Sequence, residues 1–377
     1  MGYSKLLSVV VPTKNRYKYL KYLMELIASF DSDDIELVIQ DNSDDNSGFV
    51  AFLDNHSFDF VSYDYTQGQI PMSENSDKAV LNSSGEYICF LGDDDGVTRL
   101  IIEGTRWMKK NNLEAVIVPF PYYYWPDASQ GMVNYSAEMY YNNYDGKIKY
   151  LSAYDELIKV LKEGIPNRGR MPMAYHSVIS RKMMDAVYEK CGTYFPGNSP
   201  DISNAVALSL VVNKFAFVNS PWVISGKCLY GGGGEAIVGN GFPPQISDMK
   251  WFRNNAENEW DARIPRIAIG DTIWAESAIS ALKEMGRSDL EKYISFNKMY
   301  GRFRYSHPQL INYLTDVTNN NVFLLYEYCL VVVNHYMNAA LRRINSLFNK
   351  KTNHMCGLNT IIDAQLAIEK VVSKDNK

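Results

Sequence analysis

Short apolar runs alternate with amphipathic helical patterns over residues 1–120, and this alternation limits the fold more than any other feature of the chain. Strands are predicted at residues 6–11, 35–40, 58–65, 87–91 and 115–119, and helices at residues 17–30, 73–82 and 98–110. The first strand is a Val-rich run that suits burial on both faces. Strands that alternate with helices predict an α/β fold with a mostly parallel sheet flanked by helices.

Polar clusters follow three of the predicted strands, at residues 13–16, 41–47 and 93–95. In a mostly parallel sheet the carboxyl ends of the strands meet at one edge, and ligands bind in the crevice beyond that edge. The three clusters are therefore expected to lie close together and to form a binding site.

The third cluster consists of three adjacent acidic residues, Asp93, Asp94 and Asp95, directly after an apolar run. Burying unpaired carboxylates is costly, so a divalent cation is their natural partner. Mn²⁺ or Mg²⁺ takes carboxylate oxygens together with phosphate oxygens, which a diphosphate would supply. We predict Asp93 and Asp95 as metal ligands. The alternative is a solvated acidic turn that caps the following helix.

The first two clusters offer contacts for a nucleotide and its phosphates. Amides at the start of the first predicted helix suit an anion, and Arg16 either adds a phosphate contact or is simply solvated. The Asp41 carboxylate could accept a hydrogen bond from a base or a ribose, while Ser43 is expected to cap the next helix. A plain turn at this place would need only Asn42 and Ser43.

Asp201 precedes a predicted apolar helix at residues 202–211. An acidic residue at this position usually caps the helix. The functional alternative is a general base that takes the proton of an acceptor hydroxyl, and a helix N-terminus helps to keep such a carboxylate ionised.

Four consecutive glycines occupy residues 231–234, and Gly239 and Gly241 follow. The run is either a linker or a mobile flap over donor phosphates. Lys227, just before it, could neutralise phosphate charge. His176 is interpreted as a structural histidine, with an acceptor-side contact as the alternative.

Composition and charge exclude several classes of protein. The 377 residues allow about two domains, and a net charge of −5 gives no basic face for nucleic acid. The five Cys are scattered without a CxxC pair, so neither a disulfide framework nor a zinc site is expected. No signal-peptide pattern is present, and no uncharged apolar stretch reaches the ~20 residues that span a bilayer. A cytoplasmic setting is expected.

The later part of the chain has a different pattern. Residues 119–150 are rich in Tyr and Asn with little periodicity and are predicted to be a long loop or an insertion. From residue 251 the pattern is helical, so we predict a catalytic domain at residues 1–250 and a helical module at residues 251–377. One helical stripe precedes two arginines and suits either packing against other helices or in a homodimer, which is favoured, or contact with the inner face of a membrane. It consists of Tyr326, Leu330, Val333 and Met337, followed by Arg342 and Arg343.

Four segments in this order resemble the family 2 glycosyltransferases of the GT-A fold. They are residues 9–16 (Val-Val-Val-Pro-Thr-Lys-Asn-Arg), residues 41–45, Asn75 within residues 73–80, and residues 85–95. The segment Ser199-Pro200-Asp201 is also similar to the base-bearing region of members that build bacterial surface polysaccharides. The helical C-terminal third is not covered by the family pattern.

The resemblance implies that a sugar moves, with inversion, from a nucleotide-diphosphate donor to a hydroxyl of a glycan or a lipid-linked glycan. UDP is the expected nucleotide, the metal is expected at the acidic cluster, and Asp201 is expected to be the base. The predicted donor contacts are Pro12, Thr13, Asn15, Arg16, Asp41, Ser43, Asn75, Lys78, Asp93, Asp94 and Lys227. Many members have Asp where this chain has Gly92, so either Asp94 or Asp95 is the main metal ligand. A non-catalytic nucleotide- or sugar-binding protein on the same fold is the alternative.

Overall fold

A mostly parallel sheet of eight strands forms the centre of the protein, as the sequence predicts. The computed structural model describes residues 3–130, 135–229, 245–318, 321–348 and 353–375. The predicted glycine flap at residues 231–234, with Gly239 and Gly241, lies outside these ranges. The strands within them are β1 (Lys5–Thr13), β2 (Ile35–Asp41), β3 (Val61–Tyr65), β4 (Gly85–Phe90), β5 (Gly96–Val97), β6 (Ala115–Ile117), β7 (Tyr122–Tyr124), β8 (Glu138–Tyr141), β9 (Ile148–Leu151), β10 (Ser177–Ser180), β11 (Phe215–Val218), β12 (Val223–Lys227) and β13 (Asn353–Cys356).

The central sheet has the strand order β3-β2-β1-β4-β10-β6-β11-β9. The pairs β1–β2, β2–β3, β1–β4 and β6–β11 are parallel. Strands β10 and β9 run against their neighbours. The parallel part places the ends of β1, β2 and β4 at the same edge, where the polar clusters follow.

Helices cover both faces of this sheet. They are α1 (Tyr17–Ala28), α2 (Ser47–Asp54), α3 (Met72–Leu81), α4 (Leu100–Lys110), α5 (Ala153–Lys162), α6 (Arg181–Cys191), α7 (Pro200–Ser209), α8 (Ala256–Glu259), α9 (Gly270–Glu284), α10 (Phe296–Ser306), α11 (Asn312–Thr315), α12 (Asn321–Phe348) and α13 (Ile361–Asp375). In β1, Val10 packs into one apolar core, and Val9 and Val11 pack into the other. Alternate side chains of a strand point to opposite faces, so a continuous apolar run fills two cores at once.

A second sheet of five strands has the order β13-β8-β7-β12-β5, and two of its strands, β7 and β8, lie in the region predicted to be a loop. The prediction of a long loop at residues 119–150 is therefore wrong, while the alternative of an insertion stays a prediction. Tyr is a good strand former, and in β7 the side chains alternate: Tyr123 is fully buried while Tyr122 is 45% exposed. The Tyr-rich composition of this segment is itself a signal for strands.

The chain after residue 251 is largely helical, as predicted, but it is not free of strands. Strand β13 pairs antiparallel with β8. Helix α13 then buries Ile361, Ala364 and Ile368 in the core beside α1. Apolar side chains from both sides of residue 250 share one core. The division into domains at that residue stays a prediction.

Helix α12 exposes much of its apolar surface. One side contacts α10, where Glu327 lies so close to Gly301 that a Cβ at Gly301 would be 2.8 Å away. Elsewhere the predicted stripe is open to solvent, with Tyr326 58% and Val333 59% exposed. The predicted homodimer and membrane contacts of this stripe stay predictions. None of the helices in the described ranges combines the length and the apolar character that crossing a bilayer requires.

Candidate active site

The ends of β1 and β4 bring Thr13, Arg16 and Asp93 into contact. The Thr13 hydroxyl donates to Asp93 Oδ2 at 2.6 Å, and Arg16 Nε donates to the same oxygen at 3.0 Å. Arg16 Nη2 lies 2.7 Å from Asp93 Oδ1. The Asp93 side chain is fully buried and that of Arg16 is 19% exposed. Arg16 is thus paired with an acid at the strand ends, and the interpretation of a solvated arginine is wrong.

Crowding and burial shift the protonation of the acidic cluster. Burial raises the pKa of Asp93 to about 7, against the lowering effect of Arg16, and the neighbouring Asp94 raises it further. Burial likewise raises the pKa of Asp94, again against Arg16. A group of acids whose charged forms are disfavoured is a place where added positive charge is stabilising.

Asp95 is held by residues on the other side of the cluster. Its Oδ2 accepts from the Gly92 N–H at 2.8 Å and from the Tyr175 hydroxyl at 3.2 Å, and it lies 2.7 Å from His176 Nε2. Its Oδ1 accepts from the Gly226 N–H at 2.8 Å. Burial raises the pKa of Asp95, but His176 and these hydrogen bonds outweigh burial and keep the pKa below its usual range. His176 is buried, which favours the structural interpretation of this residue.

Asp94 is the acid of the cluster that best fits a metal ion. Arg16 engages Asp93 and His176 engages Asp95, whereas the nearest charge partner of Asp94 is Arg16 Nη1 at 3.8 Å. Its side chain is 10% exposed. Within the described part of the chain the three carboxylates do not form a group whose ligand atoms converge. Mg²⁺ and Mn²⁺ commonly need one or two carboxylates and complete their shell with phosphate and water, so a single carboxylate such as that of Asp94 suffices. The identity of the metal ligands stays a prediction.

Strand β12 approaches the cluster through its backbone. A Cβ on Gly226 would lie 1.8 Å from the carbonyl oxygen of Asp94, so only glycine fits there. That carbonyl also accepts from Trp125 Nε1 at 2.9 Å. The next residue, Lys227, is exposed, with Nζ 5.8 Å from the Tyr122 ring centroid, and its charge lowers the pKa of Asp94. The strand thus places Lys227 at the mouth of the site.

Asp41 at the end of β2 is fully buried and already has several partners. Its Oδ2 accepts from the hydroxyls of Tyr17 at 2.6 Å and Tyr63 at 2.7 Å, and its Oδ1 accepts from the Ser43 N–H at 2.8 Å. A nucleotide base would have to displace a tyrosine to reach Oδ2. The contact of Asp41 with the donor stays a prediction.

Ser43 ties the loops after β1 and β2 together. Its Oγ accepts from the backbone N–H of Asn15 at 2.7 Å. Asn15 has a positive φ of 59° and forms reciprocal hydrogen bonds with Asp44. The expectation that Ser43 caps the following helix is wrong, because α2 has Asn46 at its N-cap position. Both loops are therefore locked beside the site by short polar side chains.

The remaining predicted donor contacts lie on β1 and α3. Pro12 pairs in register with Gln40 of β2. Asn75 is buried, and its Oδ1 accepts no hydrogen bond from the described residues. Lys78 is half-buried in the last turn of α3. These positions are compatible with a donor site, and their roles stay predictions.

Asp201 lies in the first turn of α7, where the sequence places it. Its Oδ1 accepts from Ser199 Oγ at 2.5 Å and from the Ile202 N–H at 2.8 Å. Burial raises the pKa of Tyr175 well above its ordinary value, and the charges of Asp95, Asp94 and Asp201 raise it further.

Helix α9 holds the loop that carries Asp201. Asn198 Nδ2 donates to Glu276 Oε2 at 2.8 Å, and the Ser199 N–H donates to Ser277 Oγ at 2.9 Å. A Cβ on Gly197 would lie 2.9 Å from the Ser277 carbonyl oxygen. The C-terminal region thus fixes the position of the candidate base.

Sequence reasoning missed Tyr175, Trp125, Gly226 and Glu276. Each reaches the site from an element whose position depends on the tertiary fold. Local sequence gives no signal for three of them. The glycine directly before Lys227 was the one usable hint, since glycine in a strand often marks a close backbone approach.

Comparison with protein families then identifies the segment that carries most of this site. Residues 8–162 match the model described as Glycosyl transferase family 2. They include β1, β2, β4 and the three acidic residues of the cluster. Residues 8–162 form a family 2 glycosyltransferase domain. Asp201 and the α9 residues that hold its loop, Glu276 and Ser277, lie beyond the matched residues.

Two curated relatives are glycosyltransferases of bacteria. The GalNAc(5)-diNAcBac-PP-undecaprenol beta-1,3-glucosyltransferase of Campylobacter jejuni is 35% identical over 94 residues, which are 24% of this chain and 29% of that protein. The glycosyltransferase GlyG of Streptococcus pneumoniae is 26% identical over 219 residues, which are 57% of this chain and 69% of that protein. The match to the first relative thus spans less than a third of its length.

Among solved structures, the chain is similar to S. aureus TarS 1–349 in complex with UDP. The TM-score is 0.48 at 14% identity, over 83% of this chain and 80% of that chain. A complex of the same protein with UDP-GlcNAc gives a TM-score of 0.48 at 13% identity.

Proposed function

We propose that the chain is an inverting glycosyltransferase that moves a sugar from a nucleotide-diphosphate donor to a hydroxyl of a glycan. UDP is the nucleotide that we expect in the donor. The observation that carries the proposal is the buried acidic cluster at the end of β4, which is paired with Arg16. The family 2 domain at residues 8–162 supports the reaction class.

The donor end of the proposed site combines positive charge with one accessible acid. Arg16 and the exposed Lys227 lie around the mouth and suit the phosphates. Asp94 would hold Mn²⁺ or Mg²⁺ there, and such a cation would neutralise charge on the leaving diphosphate. Gly226 lets the backbone of β12 close tightly on Asp94, which keeps water away from the buried side of the cluster.

The acceptor end uses Asp201 as the general base. Within the described part of the chain both hydrogen bonds to its carboxylate go to Oδ1, so Oδ2 is available to take a proton. The acceptor oxygen forms a bond to the anomeric carbon while its proton passes to Asp201. The bond from that carbon to the phosphate oxygen breaks, and its electron pair leaves with the nucleoside diphosphate. Attack opposite to the leaving group inverts the anomeric centre.

A lipid-linked glycan is the acceptor class that we favour. The relative from Campylobacter jejuni is named for an acceptor on undecaprenyl diphosphate. An enzyme with such an acceptor works at a membrane surface, and the proposed location is the cytoplasmic face. The exposed apolar side chains of α12 are compatible with this setting.

The base assignment is tested with Asp201→Asn. We expect turnover to fall by about a hundredfold or more, because general base catalysis typically contributes that much. Affinity for the nucleotide-sugar should remain near that of the parent, since Asp201 acts on the acceptor. Transfer is measured by product formation from a panel of nucleotide-sugars, and donor affinity by calorimetry.

Asp271→Asn is the matched control, since Asp271 is also the second residue of a helix, α9. It should turn over at the parental rate. Parental turnover by Asp201→Asn would overturn the base assignment. If the parent bound a nucleotide-sugar but neither transferred nor hydrolysed it in any combination, the alternative of a non-catalytic binding protein would replace the proposal.

A further inference from the structure

A second cluster of metal-binding side chains lies on the five-stranded sheet. Strands β8 and β13 pair antiparallel, with Cys356 opposite Glu138 and His354 opposite Tyr140. His354 and Cys356 are two residues apart on one strand, so both side chains point to the same face of the sheet. The pairing of the two strands therefore gathers a thiol, an imidazole and a carboxylate at one place.

The ligand atoms of this cluster converge on one point. Cys356 Sγ lies 3.0 Å from His354 Nε2, and His354 Nε2 lies 3.5 Å from Glu138 Oε2. All three atoms lie within 4.8 Å of one another. Neighbouring ligands of a tetrahedral zinc ion are about 3.3–3.6 Å apart when Zn–S is about 2.3 Å and Zn–N and Zn–O are about 2.0 Å. The two separations from His354 Nε2 lie within about 0.5 Å of this range, and the Cys356 Sγ and Glu138 Oε2 atoms are no more than 4.8 Å apart.

Tyr140 holds two of the three ligands in place. Its hydroxyl donates to Glu138 Oε2 at 3.1 Å, and its ring stacks on His354 with centroids 5.2 Å apart. Partners of this kind orient metal ligands and raise the affinity of a site. A thiolate and an imidazole among the ligands select Zn²⁺ over Mg²⁺ or Mn²⁺.

We infer that Glu138, His354 and Cys356 form a zinc site that is separate from the acidic cluster of the candidate active site. The scattered cysteines predict no zinc site because one ligand comes from a strand far away in sequence. The His354 side chain is 46% exposed, so the ion can enter from solvent and take water as its fourth ligand. The ion would fasten β13, and with it helix α13, to the second sheet.

The inference is tested with the reduced full-length protein, made free of metal and titrated with Zn²⁺ against a chelating dye. We expect each parent chain to bind one Zn²⁺ ion tightly. The affinity for Zn²⁺ should fall by about a hundredfold or more in Cys356→Ser and in His354→Asn, since each substitution removes a ligand. Both residues are exposed, so these substitutions should not unfold the chain. Cys329→Ser, at another exposed cysteine, is the matched control and should bind like the parent.

A spectroscopic readout identifies the ligands. Co²⁺ in place of Zn²⁺ should give the visible bands of a tetrahedral site and the near-ultraviolet band of a thiolate ligand, both absent in Cys356→Ser. Zn²⁺ should also raise the melting temperature of the parent but not of Cys356→Ser, because a ligand that binds the folded state stabilises it. Equal Zn²⁺ binding by parent and Cys356→Ser, or no tight binding by the parent, would overturn the inference.

Discussion

Arg16 and Asp93 show how the site depends on single side chains. Asp93 is fully buried, and Arg16 reaches it with two nitrogens while also facing Asp94. Such a pair is weak evidence for stability as a whole, but removal of one partner leaves a buried charge uncompensated. The arginine thus serves the folded state as well as the proposed donor site.

Arg16→Ala should lower the free energy of unfolding by about 3 kcal/mol, because Asp93 would lose its charge partner. Urea denaturation above neutral pH measures the effect. Arg266→Ala is the control: Arg266 pairs with Glu257 at 3.6 Å, and both side chains are more than half exposed. That change should cost about 1 kcal/mol or less. Equal losses in the two variants would contradict the role given to Arg16.

At this scale the sequence predicts which residues meet but not how they are paired. The acidic cluster, Thr13 and Arg16 are recognised as neighbours from strand order alone. The pairing of Asp95 with His176 is not, because β10 enters the sheet between β4 and β6 and local periodicity carries no information on that insertion. The same holds for Tyr17 and Tyr63, which surround Asp41.

Among the elements, β12 has the tightest requirement. Gly226→Ala would place a Cβ against the Asp94 carbonyl, so β12 must move away from the cluster. We expect a loss of about 2 kcal/mol in unfolding free energy from the overpacking, together with a loss of nucleotide binding. Thermal denaturation and calorimetry with UDP measure the two effects.

The control for this prediction is Gly48→Ala in α2, where a Cβ would meet no atom within 4 Å. A helical alanine there should be neutral or slightly stabilising. If Gly226→Ala behaved like Gly48→Ala in both measurements, the close approach of β12 would have no functional importance.

Helix α9 makes stability depend on pH through Glu276. Burial raises the pKa of Glu276 from 4.5 to about 7, although Asn198 and Arg253 lower it. Between about pH 4.5 and about pH 7, Glu276 therefore keeps its proton in the folded chain but loses it in the unfolded chain. The free energy of unfolding consequently falls as the pH rises through this window. Glu276→Gln has no such proton and should become more stable relative to the parent by about 2–3 kcal/mol between about pH 5 and about pH 8.

Unfolding free energies of parent and variant at the two pH values test this prediction. Glu284→Gln, on the same helix with a side chain that is 40% exposed, is the control variant and is measured at the same two pH values. A constant difference between Glu276→Gln and the parent at both pH values would show that Glu276 is not protonated in the folded state.

The elements of the central sheet are predictable because their signals are local. Apolar runs give β1, β2 and β4, and the spacing of Leu20, Leu23 and Ile27 gives α1. The strands of the second sheet are short, and several are built from Tyr or interrupted by Gly, so they look like loops. Their formation depends on pairing with distant segments, as β13 with β8 shows.

At the scale of the whole molecule, the proposed donor site lies at the edge of the central sheet that carries the acidic cluster. The turns after β1 and β4 and the backbone of β12 meet at this edge, and α9 holds the loop that precedes Asp201. The family 2 domain accounts for the first part of this arrangement. The loop before Asp201 and its α9 partners lie beyond the matched residues.

A crystal structure of the protein with UDP and Mn²⁺ tests the central claim most directly. We predict manganese, located by its anomalous signal, bound to Asp94 and to the diphosphate, with Arg16 and Lys227 facing the phosphates. UDP bound at another place, or manganese without any contact to the acidic cluster while the nucleotide is present, would contradict it.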